Sequence, residues 1–293
     1  GAYQLHHLRT PAHAAVNDTV EAAPRRASGL VNAVLRKVAD VDPEWPDEAT
    51  QFSYPDWIWD LFVKTWGADG RASLISMNTP ERPAPRPDGY IQGQASRWVS
   101  EAVDEASPKG GTLVDLCAAP GGKTTAMGSA WDKLWANELD PARARSLEKV
   151  IRSYRPGAQV VVSDGTRSPF TDGCADAVLV DAPCSGLGAL GRRSDARWQI
   201  SEKAIDRLVG IQDALLEEAL RMLRPQGILT YSVCTVTRAE TCDVAESFRN
   251  RHEEIISLGL SGEHWRQHHG GGLVLPHDFG TDGMAIFQWK RQR

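Results

Sequence analysis

The feature that most constrains the fold is an alternation that begins near residue 111. Short β-rich runs at Thr112–Leu116, Leu134–Asn137, Gln159–Val162, Ala177–Val180 and Ile228–Tyr231 are separated by helical stretches. Between the last two runs, Leu208, Ile211, Leu215, Ala219 and Met222 keep one helix face apolar, and Arg224-Pro225-Gln226-Gly227 should stop that helix. Such alternation predicts an α/β fold with a mostly parallel, doubly wound sheet. Ligands of these sheets sit beyond the carboxyl ends of the strands, so chemistry is expected just after each β run.

The residues ahead of this region read differently. Residues 1–40 are expected to be helical and amphipathic, with Leu30, Val31, Val34, Leu35 and Val38 at helical spacing and Arg25, Arg26, Arg36 and Lys37 adding basic character. Residues 40–56 are rich in proline and acid and read as a linker. A short helix should carry Trp57, Ile58, Leu61, Phe62 and Trp66, and the four prolines of Thr79–Gly89 predict a second irregular link. The expected domains are therefore 1–40, a linking segment 41–89, and a main domain 90–293.

Bulk properties narrow the function. With 41% hydrophobic and 24% charged residues the composition is that of a soluble globular protein. No stretch approaches the roughly 20 apolar residues of a membrane span, and the N-terminal residues do not read as a signal peptide. The chain opens on Gly1 in what reads as the middle of a domain, so a piece of a longer protein is expected. The net charge of −5 argues against gripping nucleic acid over the whole surface, while leaving room for a local basic site. Five cysteines form neither a CxxC pair nor a secreted framework, which points to a reducing cytoplasm.

Several strand ends carry candidate chemistry. The first run leads into Asp115-Leu116-Cys117-Ala118-Ala119-Pro120-Gly121-Gly122-Lys123-Thr124-Thr125. Adjacent glycines before a helix let a ligand approach the backbone, or simply make a tight turn. A P-loop would need glycine where Cys117 stands, and no GxGxxG is present, so neither nucleotide motif fits. Glu138, after the second run, could accept from ribose hydroxyls or serve as a helix N-terminal charge. Asp164, after the third, could accept from an adenine amino group or make a turn.

The fourth run ends in Asp181-Ala182-Pro183-Cys184-Ser185-Gly186 and the fifth in Tyr231-Ser232-Val233-Cys234-Thr235. A lone cysteine is usually a small buried hydrophobe; two at successive strand ends point to thiol chemistry. No histidine has ligand spacing with them, so no metal is expected. Arg192, Arg193 and Arg197, with Trp198 beside them, suit a phosphate backbone and a stacked base, or form a solvated arginine cluster.

Together, the DLCAAPGGKT, DAPCSG and YSxCT stretches closely resemble the Sun-type (Nol/Nop/Sun) RNA cytosine-5 methyltransferases. The resemblance covers roughly Tyr90 to Lys290, including Arg192-Arg193-Ser194-Asp195 with Trp198, and Asp282-Gly283-Met284. Pro11–Asn17 and Gly29–Arg36 resemble the last helices of a NusB-like domain, an extension that points to the branch acting on bacterial small-subunit ribosomal RNA. The resemblance implies a Rossmann-like class I methyltransferase sheet behind a partial all-α NusB-like segment. It implies S-adenosylmethionine held by Cys117–Lys123, Glu138, Asp164 and Asp181, and catalysis by Cys234, Cys184 and Asp181. It also implies RNA as partner, contacted by Arg192, Arg193, Arg197 and Trp198. The alternatives are a DNA cytosine-5 methyltransferase, whose nucleophile follows a proline as Cys184 does, and an inactive RNA-binding or assembly module. The second is motivated by the missing first helices of the NusB-like part and by the short segment between Met77 and Tyr90.

Overall fold

The computed structural model describes residues 1–292 except 7, 9, 42, 43, 80, 81, 107–109, 129 and 130. The chain divides into two compact units, Gly1–Gln51 and Phe52–Arg293.

The first unit is helical, with α1 (Ala2–His6), α2 (Ala12–Ala22), α3 (Ser28–Ala39) and α4 (Glu48–Gln51). Its core is small: Ala15, Val16, Leu35 and Ala49 are buried, whereas Leu30 and Val34 of α3 are exposed.

The second unit is built on a sheet. Two helices, α5 (Asp56–Trp66) and α6 (Ala68–Ser76), precede α7 (Gln94–Ala106). Then come β1 (Thr112–Asp115), α8 (Gly122–Ala126), β2 (Lys133–Glu138), α9 (Pro141–Tyr154), β3 (Gln159–Val162), β4 (Ala175–Asp181), α10 (Glu202–Met222) and β5 (Leu223–Val233). The chain closes with α11 (Cys242–Arg251), β6 (Ile255–Ser257), β7 (Arg266–His268), β8 (Gly271–Val274), α12 (Pro276–Phe279) and β9 (Met284–Arg291). Among the described residues no helix is long and apolar enough to cross a membrane.

The strand order is β3-β2-β1-β4-β5-β9-β8-β7, with β6 also paired to β9. Strands β1 to β5 are mutually parallel, and β9, β8, β7 and β6 join antiparallel. The order reverses between β1 and β4. Right-handed crossovers therefore place α8 and α9 on one face and α10 on the other, opening a crevice at the β1/β4 carboxyl ends. Burial on both faces explains the apolar runs: Leu113, Val114, Ala177, Val178, Leu179 and Val180 are each at most 1% exposed.

The sheet is mostly parallel, as expected, through β1 to β5; the remaining strands join antiparallel, and the shortest of them are too brief to leave a period in the sequence. Two expectations differ from this architecture. Arg224-Pro225-Gln226-Gly227 does follow the helix, but lies within β5, where the pairing register with β4 shifts between Ala175 and Ala177. Residues 52–89 belong to the sheet-bearing unit rather than to a separate linker. Tyr54 is buried and donates to the Leu74 carbonyl at 2.8 Å, α6 packs on α12, and Arg86 reaches the loop after β1.

The loops after β4 and β5 are fastened to the segment before β9 through glycine. Gly188 N donates to the Cys234 carbonyl at 3.1 Å, and Gly283 N donates to the Gly188 carbonyl at 2.8 Å. A Cβ on Gly188 would lie 2.5 Å from the Gly283 carbonyl oxygen, a backbone atom that cannot rotate away. Gly188→Ala should therefore cost about 1–3 kcal/mol and lower the melting temperature by roughly 5 °C in a thermal denaturation; an unchanged melting curve would contradict this contact.

Candidate active site

The two thiols meet because β4 and β5 are paired in register, Asp181 opposite Ser232. Ala182 N donates to the Ser232 carbonyl at 2.9 Å and Ser232 Oγ donates to Asp181 Oδ1 at 2.8 Å, which carries the pairing past the strand ends. Three residues beyond Asp181 and two beyond Ser232, the sulfurs of Cys184 and Cys234 approach to 3.4 Å. Both are free thiols and partly buried.

A buried ion pair lies beside them. Lys123 Nζ, on the first turn of α8, bonds Asp181 Oδ2 at 2.7 Å, and the lysine side chain is only 11% exposed. Burial works against the ammonium charge, but the Asp181 carboxylate more than compensates and raises the lysine pKa.

The same surroundings separate the two thiols. The hydrogen bond from Cys184 stabilises the Cys234 thiolate. With Lys123 and Arg192 it lowers the Cys234 pKa, against burial and the Asp181 charge. Cys184 is pushed well above the ordinary thiol range by that same bond, by burial and by the charges of Cys234 and Glu240. Cys117 is also pushed well up, by burial and then by nearby carboxylates, chiefly Asp115. Cys234 is the one thiol among the described residues whose pKa is lowered; those of Cys117, Cys174, Cys184 and Cys242 are raised.

Across the crevice stands the loop Cys117–Lys123. Gly121 adopts φ +103°, and a Cβ there would meet Leu147 and Val150 at 2.9 and 3.0 Å, so the tight turn requires glycine. The loop is held on both sides. Ala118 N donates to the Asn137 carbonyl at 2.8 Å, and Arg143 Nη2 donates to the Ala119 carbonyl at 3.0 Å. Pro120 follows Ala119 through a cis peptide bond. Arg86 Nη1 donates to the Gly122 carbonyl at 3.0 Å, and its Nη2 donates to Thr125 Oγ1 at 3.1 Å.

Three acids stand at successive strand ends. Asp115 is 1% exposed; its Oδ2 accepts from Thr124 Oγ1 at 2.6 Å, and its Oδ1 is buried with no hydrogen-bond partner among the described residues. Burial, partly offset by the Thr124 bond, pushes its carboxyl up to about 7. Glu138 is 4% exposed, with Oε1 accepting from Asp140 N at 3.0 Å and Oε2 3.4 Å from Arg143. Asp164 is exposed and accepts from Thr166 N and Oγ1 at 2.9 and 2.8 Å, which makes a turn and lowers its pKa.

A glycine cradle with carboxylates at its rim, one of them with an orphaned oxygen, fits a ligand that carries an amino group and sugar hydroxyls. Phosphates would find mainly negative partners there. S-adenosylmethionine has the matching chemistry. Among the described residues no cluster of three or more His, Cys, Asp or Glu side chains could hold a metal ion.

The arginine stretch divides. Arg193 is exposed and Trp198 is 64% exposed, while Arg192 is 42% exposed and paired with the buried Asp282. Arg197 does not face solvent, contrary to expectation. The turn Ser194–Trp198 is a 3-10 helix that directs it inward, where it is 4% exposed. Its guanidinium lies 3.9 Å from the Tyr54 ring centroid and donates to the carbonyls of Phe52 and Ser53 and to Asn78 Oδ1. With these partners Arg197 anchors the segment from Phe52 rather than meeting a phosphate.

Sequence reasoning missed three participants. Asp115 was part of the quoted loop without a role, although it closes β1 as Glu138 closes β2. Arg86 lies in a proline-rich stretch with no period to mark it. Glu240, six residues past Cys234, gave no signal at all; its buried carboxylate joins the two thiol loops.

The electrostatics can be tested directly. Because the Lys123 charge favours the Cys234 thiolate, alkylation of Cys234 should rise with pH through a midpoint below that of an ordinary thiol. In Lys123→Met the midpoint should move to higher pH. Peptide-resolved iodoacetamide labelling across pH reads this out, and superimposable profiles would refute the lysine's role.

Comparison with known proteins agrees with this geometry. Residues 106–290 match the family model of the 16S rRNA methyltransferase RsmB/F, and residues 1–40 match the NusB family. The ribosomal RNA small subunit methyltransferase B of Serratia proteamaculans is 27% identical, over 97% of this chain and 79% of that protein. The crystal structure of PH0851 superposes with a TM-score of 0.79 at 22% identity, covering 94% of this chain and 76% of that one. NSun6 from Pyrococcus horikoshii, solved with the S-adenosylmethionine analogue SFG, gives a TM-score of 0.61 at 25% identity over 70% of this chain and 53% of its own. The chain belongs to the RsmB/F family of 16S rRNA methyltransferases, S-adenosylmethionine-dependent enzymes of RNA, and carries a NusB-family segment at its N-terminal end.

Proposed function

We propose that this enzyme methylates carbon 5 of a cytosine in small-subunit ribosomal RNA, with Cys234 as the nucleophile. The observation that carries the proposal is the approach of two thiols to 3.4 Å beside the Lys123–Asp181 pair. An amine or oxygen methylation would need no sulfur at this place, whereas C5 of cytosine does. That carbon is too electron-poor to attack a methyl donor until a nucleophile adds to C6.

The residues divide the work as follows. Cys117–Lys123, with Asp115, Glu138 and Asp164, hold S-adenosylmethionine, which supplies an electrophilic methyl group when bound. The Cys234 thiolate adds to C6, forming the C6–S bond and making C5 nucleophilic. Asp181 meets the polar edge of the base and, with Lys123, stabilises the charge that develops. Once C5 carries the methyl group, the C5–H bond breaks and its proton passes to a solvent water acting as base. The electron pair restores the C5–C6 double bond, and the C6–S electrons return to sulfur. Cys184, protonated and in contact with Cys234, assists this release. The target base must be unpaired or flipped to reach the thiols. Arg193 and Trp198 suit the flanking backbone and a stacked base. A ribosomal RNA substrate also places the work in the cytoplasm.

The test uses a small-subunit RNA transcript, S-adenosylmethionine and a denaturing gel that reports covalent adduct. Cys234→Ala should abolish the adduct, and Cys184→Ala should form it yet resolve it slowly, so that it accumulates. The reverse pattern would make Cys184 the nucleophile, as in DNA cytosine-5 methyltransferases. Absence of heat on titrating S-adenosylmethionine into the wild-type protein would favour an inactive RNA-binding module.

A further inference from the structure

Outside the groups used above, the second unit buries a carboxylate that pairs with no cation among the described residues. Glu240 is 0% exposed and lies in the turn before α11. Its Oε1 accepts from Ser185 N at 2.7 Å and from Gln212 Nε2 at 3.2 Å. Its Oε2 accepts from Ser185 Oγ at 2.5 Å and Thr237 Oγ1 at 2.9 Å. All four donors are neutral. Burying such a charge is costly, and a protein keeps it only where the hydrogen bonds are complete.

The donors come from the elements that carry the thiols. Ser185 follows Cys184, and its hydroxyl also lies 3.0 Å from Thr235 Oγ1, the residue after Cys234. Gln212, on α10, donates a second bond to the Pro183 carbonyl at 3.0 Å. Tyr231 of β5 donates its hydroxyl to the Glu240 carbonyl at 2.7 Å. One carboxylate therefore fastens both thiol loops, α10 and the start of α11.

The charge is also placed asymmetrically. Glu240 acts against ionisation of Cys184, whereas Lys123 and Arg192 act in favour of ionisation at Cys234. Among the described residues the pair is also acted on by Asp181, which disfavours the Cys234 thiolate, and lies beside the buried Tyr231, whose hydroxyl is pushed well up by burial. Between two sulfurs in contact, these surroundings decide which one holds the proton.

We propose that Glu240 is the positioning residue of the thiol pair: its carboxylate locks the two loops together, and its negative charge keeps the shared proton on Cys184, leaving Cys234 as the thiolate. The proposal rests on the assignment of Cys234 as nucleophile and gives a physical reason for it.

Glu240→Gln separates charge from architecture, because the amide can keep an acceptor toward Ser185 N and donate toward the hydroxyls. Peptide-resolved iodoacetamide labelling of the full chain across pH is the readout, with thermal denaturation confirming the fold. In wild type, labelling should favour Cys234 strongly at neutral pH. In Glu240→Gln the Cys184 midpoint should fall, and the share of label on Cys184 should rise roughly tenfold, the effect of one pKa unit. If that variant does not fold, Ser185→Ala serves instead. It removes the hydroxyl that bridges Glu240 to Thr235, and should bring the midpoints of the two thiols closer together. Unchanged profiles for both thiols in whichever variant folds would overturn the proposal. Labelling needs neither RNA nor turnover, so its outcome is independent of the adduct assay that tests the nucleophile itself.

Discussion

The site depends on the in-register pairing of β4 with β5. Asp181 and Ser232 face each other across parallel strands, and the chain directions beyond them bring Cys184 and Cys234 to sulfur contact. A slip of one residue would turn every β5 side chain to the opposite face and carry Cys234 out of reach. The pairing is protected by buried apolar residues on both strands and by bonds that continue it past the strand ends, from Ala182 N to Ser232 and from Ser232 Oγ to Asp181. The Lys123–Asp181 ion pair then ties the loop after β1 to the same point. Donor loop and thiol loops are thus fixed by one sheet edge.

Electrostatics makes the two thiols unequal within this frame. The chain is acidic as a whole, with a net charge of −5, yet the hydrogen bond from Cys184 and the charges of Lys123 and Arg192 favour the Cys234 thiolate. Arg192 is itself held by the buried Asp282 in the segment before β9. Negative charge sits behind the other sulfur. Two residues of the same type, in contact, are made unequal by what lies behind each. Burial of Lys123 and Glu240 strengthens such differences, because their charges are little screened by water.

Much of this was legible in the sequence. The Gln159–Val162 run is a strand with those bounds, and the Ala177–Val180 and Ile228–Tyr231 runs lie inside longer strands. The β4 and β5 runs are buried and therefore apolar, which leaves a strong local signal, whereas β3 is half-exposed and was legible from its β-branched valines. The strands past β5 were not legible: Arg266–His268 and Gly271–Val274 are three and four residues long and carry no alternation. The stretches 40–56 and 79–89 read as links because prolines and acids mark them, although Tyr54, Arg86 and the partners of Arg197 pack into the main unit. Arg197 shows the limit plainly. Asp195 and Trp198 beside it are exposed, whereas the 3-10 turn aims Arg197 inward to partners at Phe52, Ser53, Tyr54 and Asn78 that lie far away in sequence. Glu240 escaped for the same reason, since its meaning lies in residues 28 and 55 positions away in the chain.

The most direct test of the central claim is the chemical identity of the sulfur bound to RNA. Small-subunit RNA carrying 5-fluorocytidine blocks loss of the C5 substituent and holds the wild-type enzyme on its substrate in the presence of S-adenosylmethionine. Digestion and mass spectrometry then locate the modified peptide. The account predicts a cytidine adduct on the peptide containing Cys234; an adduct on the Cys184 peptide, or none in an enzyme that binds the donor, would contradict it.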